Sequence, residues 1–304
     1  MAYAAKRADE IYTAGPETLT ARATQIVAGP VSAYSKRVLS TSEPPGPDAI
    51  PLKWIIAGRV DSPKQLKGPA TGAVSFTRAE HSALIADTVD VPSWELAYGD
   101  LRQSGQAVLF LGNDPENDVI QAVPSADGEL DLASLVRDIV AIQSNPGHAK
   151  LKAWLAYLGT ARNDHGREAA LRSLVQMNAD WKRMRPTLDR FMGNPSLSQH
   201  MCGFAFGIVV FGLTSQKWEQ DQVSVADFLG RQFEIARTPK LAFQYILSLK
   251  MALRYTMEEA ARGAREPIRK QIIDGLRRNE PVASRTPEVA EQYRQIRATY
   301  PSLF

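Results

Sequence analysis

From about Glu129 to the end of the chain, apolar residues recur in steps of three and four. Before that point they come in short runs broken by Gly and Pro. Steps of three and four line one face of an α-helix, whereas short apolar runs with turn residues nearby fit strands. The change of period predicts a mainly α protein, with a small α+β N-terminal region followed by an all-helical, bundle-like C-terminal region and a terminal helical arm. The expected boundaries are 1–48 for an N-terminal helical arm and its Pro-rich linker, 49–128 for the α+β region, 129–280 for the helical domain and 281–304 for the C-terminal arm.

Residues 1 to about 40 read as one or two short helices, with Pro16 in a first turn and Leu19, Ala23, Ile26 and Val27 at helical spacing. The run from Thr41 to Asp48, which holds Pro44, Pro45, Gly46 and Pro47, is the clearest linker. Expected strands lie at Trp54-Ile55-Ile56, at Ala73 to Phe76, at Ala107 to Leu111 and at Val119 to Val123. Thr77-Arg78-Ala79-Glu80 has the form of a capping box and predicts a helix start. Ser93 predicts a further helix through about Gln103.

In the second half, Leu132, Leu135, Val136, Ile139 and Ile142 share a face that stops at Asn145-Pro146-Gly147. Leu151, Trp154, Leu155 and Leu158 open the next stripe. After Gly166 one seam runs through Ala170, Leu174, Met177, Trp181, Met184 and Leu188, with Pro186 expected to kink or end that helix. The apolar run from Met201 to Leu213 falls short of the roughly 20 residues that cross a bilayer, so a buried helix is expected, with Gly203, Gly207 and Gly212 admitting a close neighbour. Ser224 and Thr238-Pro239 read as helix starts. Asn279 to Arg285 reads as a loop, and Thr286-Pro287 starts a last helix carrying Val289, Tyr293 and Ile296 on one side.

The chemical motifs are mostly negative. The single cysteine, Cys202, lies in an apolar run and reads as a buried, inert thiol. His81, His148, His165 and His200 show no metal-ligand spacing with one another or with Cys202, so neither a metal nor a cofactor is expected. No phosphate loop ending in Gly-Lys-Ser/Thr, no GxGxxG after a strand and no GxSxG elbow is present, which removes the usual signatures of nucleotide hydrolysis, dinucleotide redox chemistry and serine hydrolysis. Asn113 to Asp118 resembles a calcium loop, but Val119 stands where the required Gly belongs, so a solvated turn is expected. His165 beside Asp164 has the makings of a carboxylate-held base, although a residue at a helix start is the simpler reading. The N-terminus lacks the apolar stretch of a secretory signal, so an intracellular (cytoplasmic) or virion location is expected, with no membrane partner.

Charge is the positive lead. Met1 to Lys150 holds 13 Lys+Arg against 18 Asp+Glu, and Leu151 to Phe304 holds 23 against 15. The excess concentrates in Lys182, Arg183, Arg185 and Arg190, and in Arg254, Arg262, Arg265, Arg269, Lys270, Arg277 and Arg278, close to Tyr255. A guanidinium binds two phosphate oxygens at once and an aromatic ring can stack on a base, so the expected partner is nucleic acid, single-stranded RNA above all. Pairs such as Glu258 with Arg262 favour ordinary solvated helix faces instead, and Arg277 and Arg278 are expected in a last helical turn, where cations suit the dipole.

Two terminal arms around a basic body suggest a homo-oligomer, by analogy with RNA-coating nucleoproteins and helical filament or virion coat proteins. The expected function is therefore non-enzymatic RNA binding with self-assembly. The alternatives are a helical scaffold or regulatory protein that binds another protein, and an enzyme of unrecognised type.

Overall fold

The computed structural model describes residues 15–41, 51–69, 72–81, 105–112, 119–124, 131–236, 238–257, 263, 265–283 and 286–303. The chain divides into two units, Met1–Ala153 and Trp154–Phe304. Its architecture is mainly α, with a small antiparallel sheet in the first unit and helices throughout the second. The segments around Ser93 and Asn113 to Asp118, together with Arg262, lie outside the described residues.

The first unit opens with α1 (Pro16–Arg22) and continues into six strands: β1 (Gln25–Thr41), β2 (Pro51–Val60), β3 (Lys64–Lys67), β4 (Val74–His81), β5 (Gln106–Leu111) and β6 (Val119–Pro124). They form one sheet in the order β4-β2-β1-β5-β6, with β3 also paired to β1. The first third of β1 lies between β3 and β5, and the remainder pairs with β2. Pro30, which has no N–H to give a ladder, falls where β1 changes partner, between Ala28↔Lys64 and Val31↔Val60. A bulge follows between Ser32 and Ser35, with Ala33 at φ 50°.

Alternation on these strands builds the core. Ile56 and Val60 of β2, Val74 and Phe76 of β4, and Ala107, Leu109 and Leu111 of β5 pack with Val27, while Arg59, Ser75 and Thr77 face solvent. Gly58 is required by this packing, because a Cβ there would lie 2.7 Å from the Phe76 ring and 2.9 Å from Val31. Lys67 reaches the end of α1 and donates from Nζ to the carbonyls of Thr20 (2.6 Å) and Ala23 (2.5 Å). The helix α2 (Leu132–Gln143), capped by Asp131, packs against α1 and β3.

Two expectations fail here. Gln25–Thr41 is strand and not helix, because its residues find pairing partners on both sides. Thr77-Arg78-Ala79-Glu80 is part of β4, where pairing with Ala57, Ile56, Ile55 and Trp54 supersedes the capping box.

After α3 (Gly147–Thr160) the second unit contains α4 (Asp164–Gln176), α5 (Trp181–Gly193), α6 (Gln199–Thr214), α7 (Gln222–Glu234), α8 (Pro239–Thr256), α9 (Glu266–Ala283) and α10 (Pro287–Thr299). The seam from Ala170 to Leu188 is shared by two helices. Met177 to Asp180 break it, with Asn178 in the left-handed region at φ 51° and Asp180 capping α5 through Lys182 N (2.9 Å). Pro186 stays inside α5.

The apolar α6 is buried nearly all round, and no helix among the described residues is long and apolar enough to cross a membrane. The small residues of α6 admit side chains: Gly203 faces Gln244 and Gly212 faces Trp218. Backbone meets backbone instead where Gly230 of α7 faces Gly275 of α9.

Trp181 stacks near Trp218 and Phe228, at 5.1 and 5.3 Å, and donates to Ser224 Oγ (3.0 Å). Ser224 does not start α7: the helix begins at Gln222, and the Ser224 hydroxyl accepts from Trp181 and Arg185 instead of capping it. Asn279 does not open a loop either. It lies buried in α9, donating to the Phe233 carbonyl (2.8 Å), and the helix runs on to Ala283. The last helix, α10, folds back on its own chain: Val289, Tyr293 and Ile296 are buried, and Tyr293 donates to the Leu276 carbonyl (2.8 Å).

Candidate functional site

The cations singled out from sequence separate into two groups. In one group the charge is committed to the fold. Arg265 is buried, donates to the Tyr255 carbonyl (2.6 Å) and lies with its guanidinium 3.7 Å from the centre of the Tyr255 ring. Tyr255 is itself buried, so the aromatic expected to stack on a base is covered by Arg265. Arg269 donates to the Thr256 carbonyl (3.3 Å) at the end of α8. Arg185 bridges helices, donating to Ser224 Oγ (2.8 Å) and Asp227 Oδ2 (3.0 Å) of α7, with Asp189 3.8 Å away on its own helix. Arg278 pairs with Glu234 across the α7–α9 contact.

The other group faces solvent: Lys182, Arg183 and Arg190 on α5, Arg254 on α8, and Lys270 and Arg277 on α9. Arg183 has Asp180 at 3.9 Å, an exposed pair of little energetic weight. Arg231 joins them from α7, side chain 65% exposed and 3.1 Å from Asp227. Sequence reasoning missed it, because one arginine on an otherwise amphipathic helix carries no local signal.

Three of the helices that carry these side chains are neighbours. Gln232 of α7 donates to Asp189 of α5 (3.3 Å), and Gly230 of α7 abuts Gly275 of α9, so α7 lies between α5 and α9. Its outward stripe, Asp227, Arg231 and Glu234, is bordered by Arg185 on one side and Arg278 on the other. Arg185 and Arg278 thus flank a stripe in which Arg231 stands between Asp227 and Glu234, and the exposed Lys182, Arg183, Arg190, Lys270 and Arg277 project from the two flanking helices.

Helix electrostatics do not account for all of it. Lys182, Arg183 and Arg185 stand at the start of α5, which has no acid in its first turn, so they oppose the helix dipole. Arg277 and Arg278 are not in a last turn, since α9 continues to Ala283 and carries no base there.

A second constellation joins α4 and α6, which run side by side in parallel: Asp164 meets Ser198, Glu168 meets His200, and Arg172 meets Phe204. Glu168 is buried between the buried Arg172 guanidinium (3.4 Å) and His200 Nε2 (2.6 Å). Burial works to raise the Glu168 pKa, but the hydrogen bond from His200 and the charges of Arg172, His200 and His165 prevail and hold it below its ordinary value. The same bond raises His200 above its ordinary value, whereas burial lowers His165, against the pull of Glu168. Chemically this is a fixed anion holding a proton carrier whose side chain is 65% exposed.

His165 and Asp164 were visible in the sequence as neighbours. The i,i+4 spacing of Glu168 and Arg172 is the signal that points to the rest. Among the described residues no group of three His, Cys, Asp or Glu is placed to hold a metal. Comparison of the chain with protein-family models, curated proteins and solved structures gives no match.

Proposed function

We propose that the second unit binds nucleic acid, RNA in the first place, through the solvent-facing cations of α5, α7 and α9, as an intracellular or virion protein. The observation that carries the reading is the set of exposed cations on three adjacent helices, of which Lys182 and Arg183 at the start of α5 stand where helix electrostatics disfavour them. Affinity then comes from phosphate contacts and falls steeply with salt.

The test is filter binding of a single-stranded RNA over a salt series. Binding is expected at about 50 mM salt and is largely lost by about 200 mM. The triple variant Lys182→Gln, Arg190→Gln, Lys270→Gln should lower the slope of log affinity against log salt by about 2, at roughly 0.7 per phosphate contact on a single strand. Arg265→Gln should leave that slope in place and lower stability instead, since Arg265 is held by Tyr255. Failure to retain RNA at low salt refutes the reading.

Self-assembly is the second part of the proposal. An exchange arm would have to release Tyr293 and Lys250 from their contacts with Leu276, Gln292 and Gln295. Size measurement after removal of 281–304 tests it: an oligomer of unchanged subunit number rules out arm exchange.

A further inference from the structure

The turn that leads into α6 is exposed from Gly193 to Ser196 and again from Ser198 to His200, and it is tied to α4 by two side-chain bonds. Ser198 caps α6, accepting from Met201 N (3.1 Å), and donates to Asp164 Oδ2 (2.7 Å). His200, two residues further on, meets Glu168 Oε1 at 2.6 Å. Glu168 cannot move to follow it, because its carboxylate is buried and also held by Arg172, whose guanidinium lies 5.4 Å from the Phe204 ring centre. A fixed anion thus faces a solvent-facing imidazole, and the strength of their contact depends on whether that imidazole carries a charge.

We propose that His200 and Glu168 form a proton-operated latch which fastens the first turn of α6 to α4 when His200 is protonated and loosens it when His200 is neutral. A neutral imidazole can still donate from Nε2, so the loosened state keeps a weaker, uncharged hydrogen bond.

The charges that shift His200 are Glu168 and Asp164, both on α4 and both favouring the imidazolium. His165 and Arg172 act on the same helix by stabilising the Glu168 anion. Among the described residues no charge on α5, α7 or α8 shifts His200. From α8, the Tyr245 hydroxyl reaches the Cys202 carbonyl (3.4 Å). The direction of coupling follows. His200 is more basic in the folded chain, so the latch contributes below its ordinary value of 6.5 and is lost as pH rises through the folded value.

The chain carries its own reporter. Cys202, the single cysteine, is buried two residues after His200 on the turn the latch secures. An uncharged thiol reagent reads the opening of that turn, and the ratio of rates between His200→Gln and the parent at one pH removes the common effect of thiolate fraction. At about pH 5.5 the variant should react about fivefold faster than the parent, and the ratio should approach one by about pH 9. His200→Lys, which stays charged over this range, should react at a rate near that of the protonated parent once corrected for thiolate. A His200→Gln ratio that does not change with pH, or equals one throughout, overturns the latch. Far-ultraviolet circular dichroism of each variant confirms that the comparison is made between folded chains.

Discussion

Replacing Glu168 by Ala is expected to lower the stability of the helical unit by about 3 kcal/mol, the usual scale for breaking a buried ion pair. The reason lies in what stays behind. Arg172 is 2% exposed and cannot turn to water, so its cation remains inside with the Phe204 face and without its carboxylate. His200 at the same time loses the anion that raises its pKa. A thermal melt followed by helical circular dichroism should show the transition move down by roughly 10 °C.

Glu168→Gln separates the contributions, because the amide keeps the shape and one hydrogen bond while removing the charge. Its loss should be smaller and should vary with pH. The Glu168 carboxyl is held below its ordinary 4.5, so the stability it gives is present above that value and declines as pH falls through the folded one. His165, pushed down by burial, gives stability in the same sense, present above 6.5 and lost on acidification. His200 acts oppositely, so parent melts mix the three and only variant differences isolate them. A Glu168→Ala protein as stable as its parent would mean that Arg172 reaches solvent or another anion without cost.

The helical half was legible in the sequence because its periodicity was strong and local. α2, α6 and α8 lie where the apolar stripes, Asn145-Pro146-Gly147 and Thr238-Pro239 placed them. What escaped was decided by partners distant in sequence. Ile26 and Val27 sit at helical spacing with Leu19 and Ala23, yet pairing with Phe110 and Leu109 makes them strand. Thr77 and Glu80 suit a cap, but their backbones are taken by β2. The split of the long seam at Asn178 was hidden because α5 resumes with Trp181 and Met184 in the apolar register.

The candidate site divides along the same line. That cations gather on α5 and α9 is a property of sequence. That Arg265 covers Tyr255, or that Arg185 is spent on Asp227, depends on contacts 10 and 42 residues away. The four-residue spacing of Glu168 and Arg172 was readable, whereas the 32-residue separation of Glu168 and His200 was not.

The second large effect is expected at the α7–α9 crossing, and it is asymmetric. A Cβ added to Gly275 would lie 2.6 Å from the Gly230 Cα, a backbone atom that cannot swing aside, so Gly275→Ala must force the two helices apart. That shift would strain the neighbouring contacts at Arg278–Glu234 and Asn279–Phe233. Overpacking of this kind costs about 1–3 kcal/mol, and the gain of about 1 kcal/mol from replacing Gly by Ala inside a helix offsets part of it. A net loss of about 1 kcal/mol, and at most about 2, is expected.

The reciprocal change is milder. A Cβ on Gly230 would lie 3.3 Å from the Gly275 Cα, a contact relieved by a few tenths of an ångström, so helix propensity should balance it and leave stability near that of the parent. Gly159→Ala, which would place its methyl in open space at the end of α3, controls for propensity alone. Chemical denaturation of the three variants checks the order: Gly275→Ala well below the other two, with Gly230→Ala close to the parent. Equal losses at Gly230 and Gly275 would mean that the helices cross at a different point from the one that now brings the outward stripe of α7 between the cations of α5 and α9.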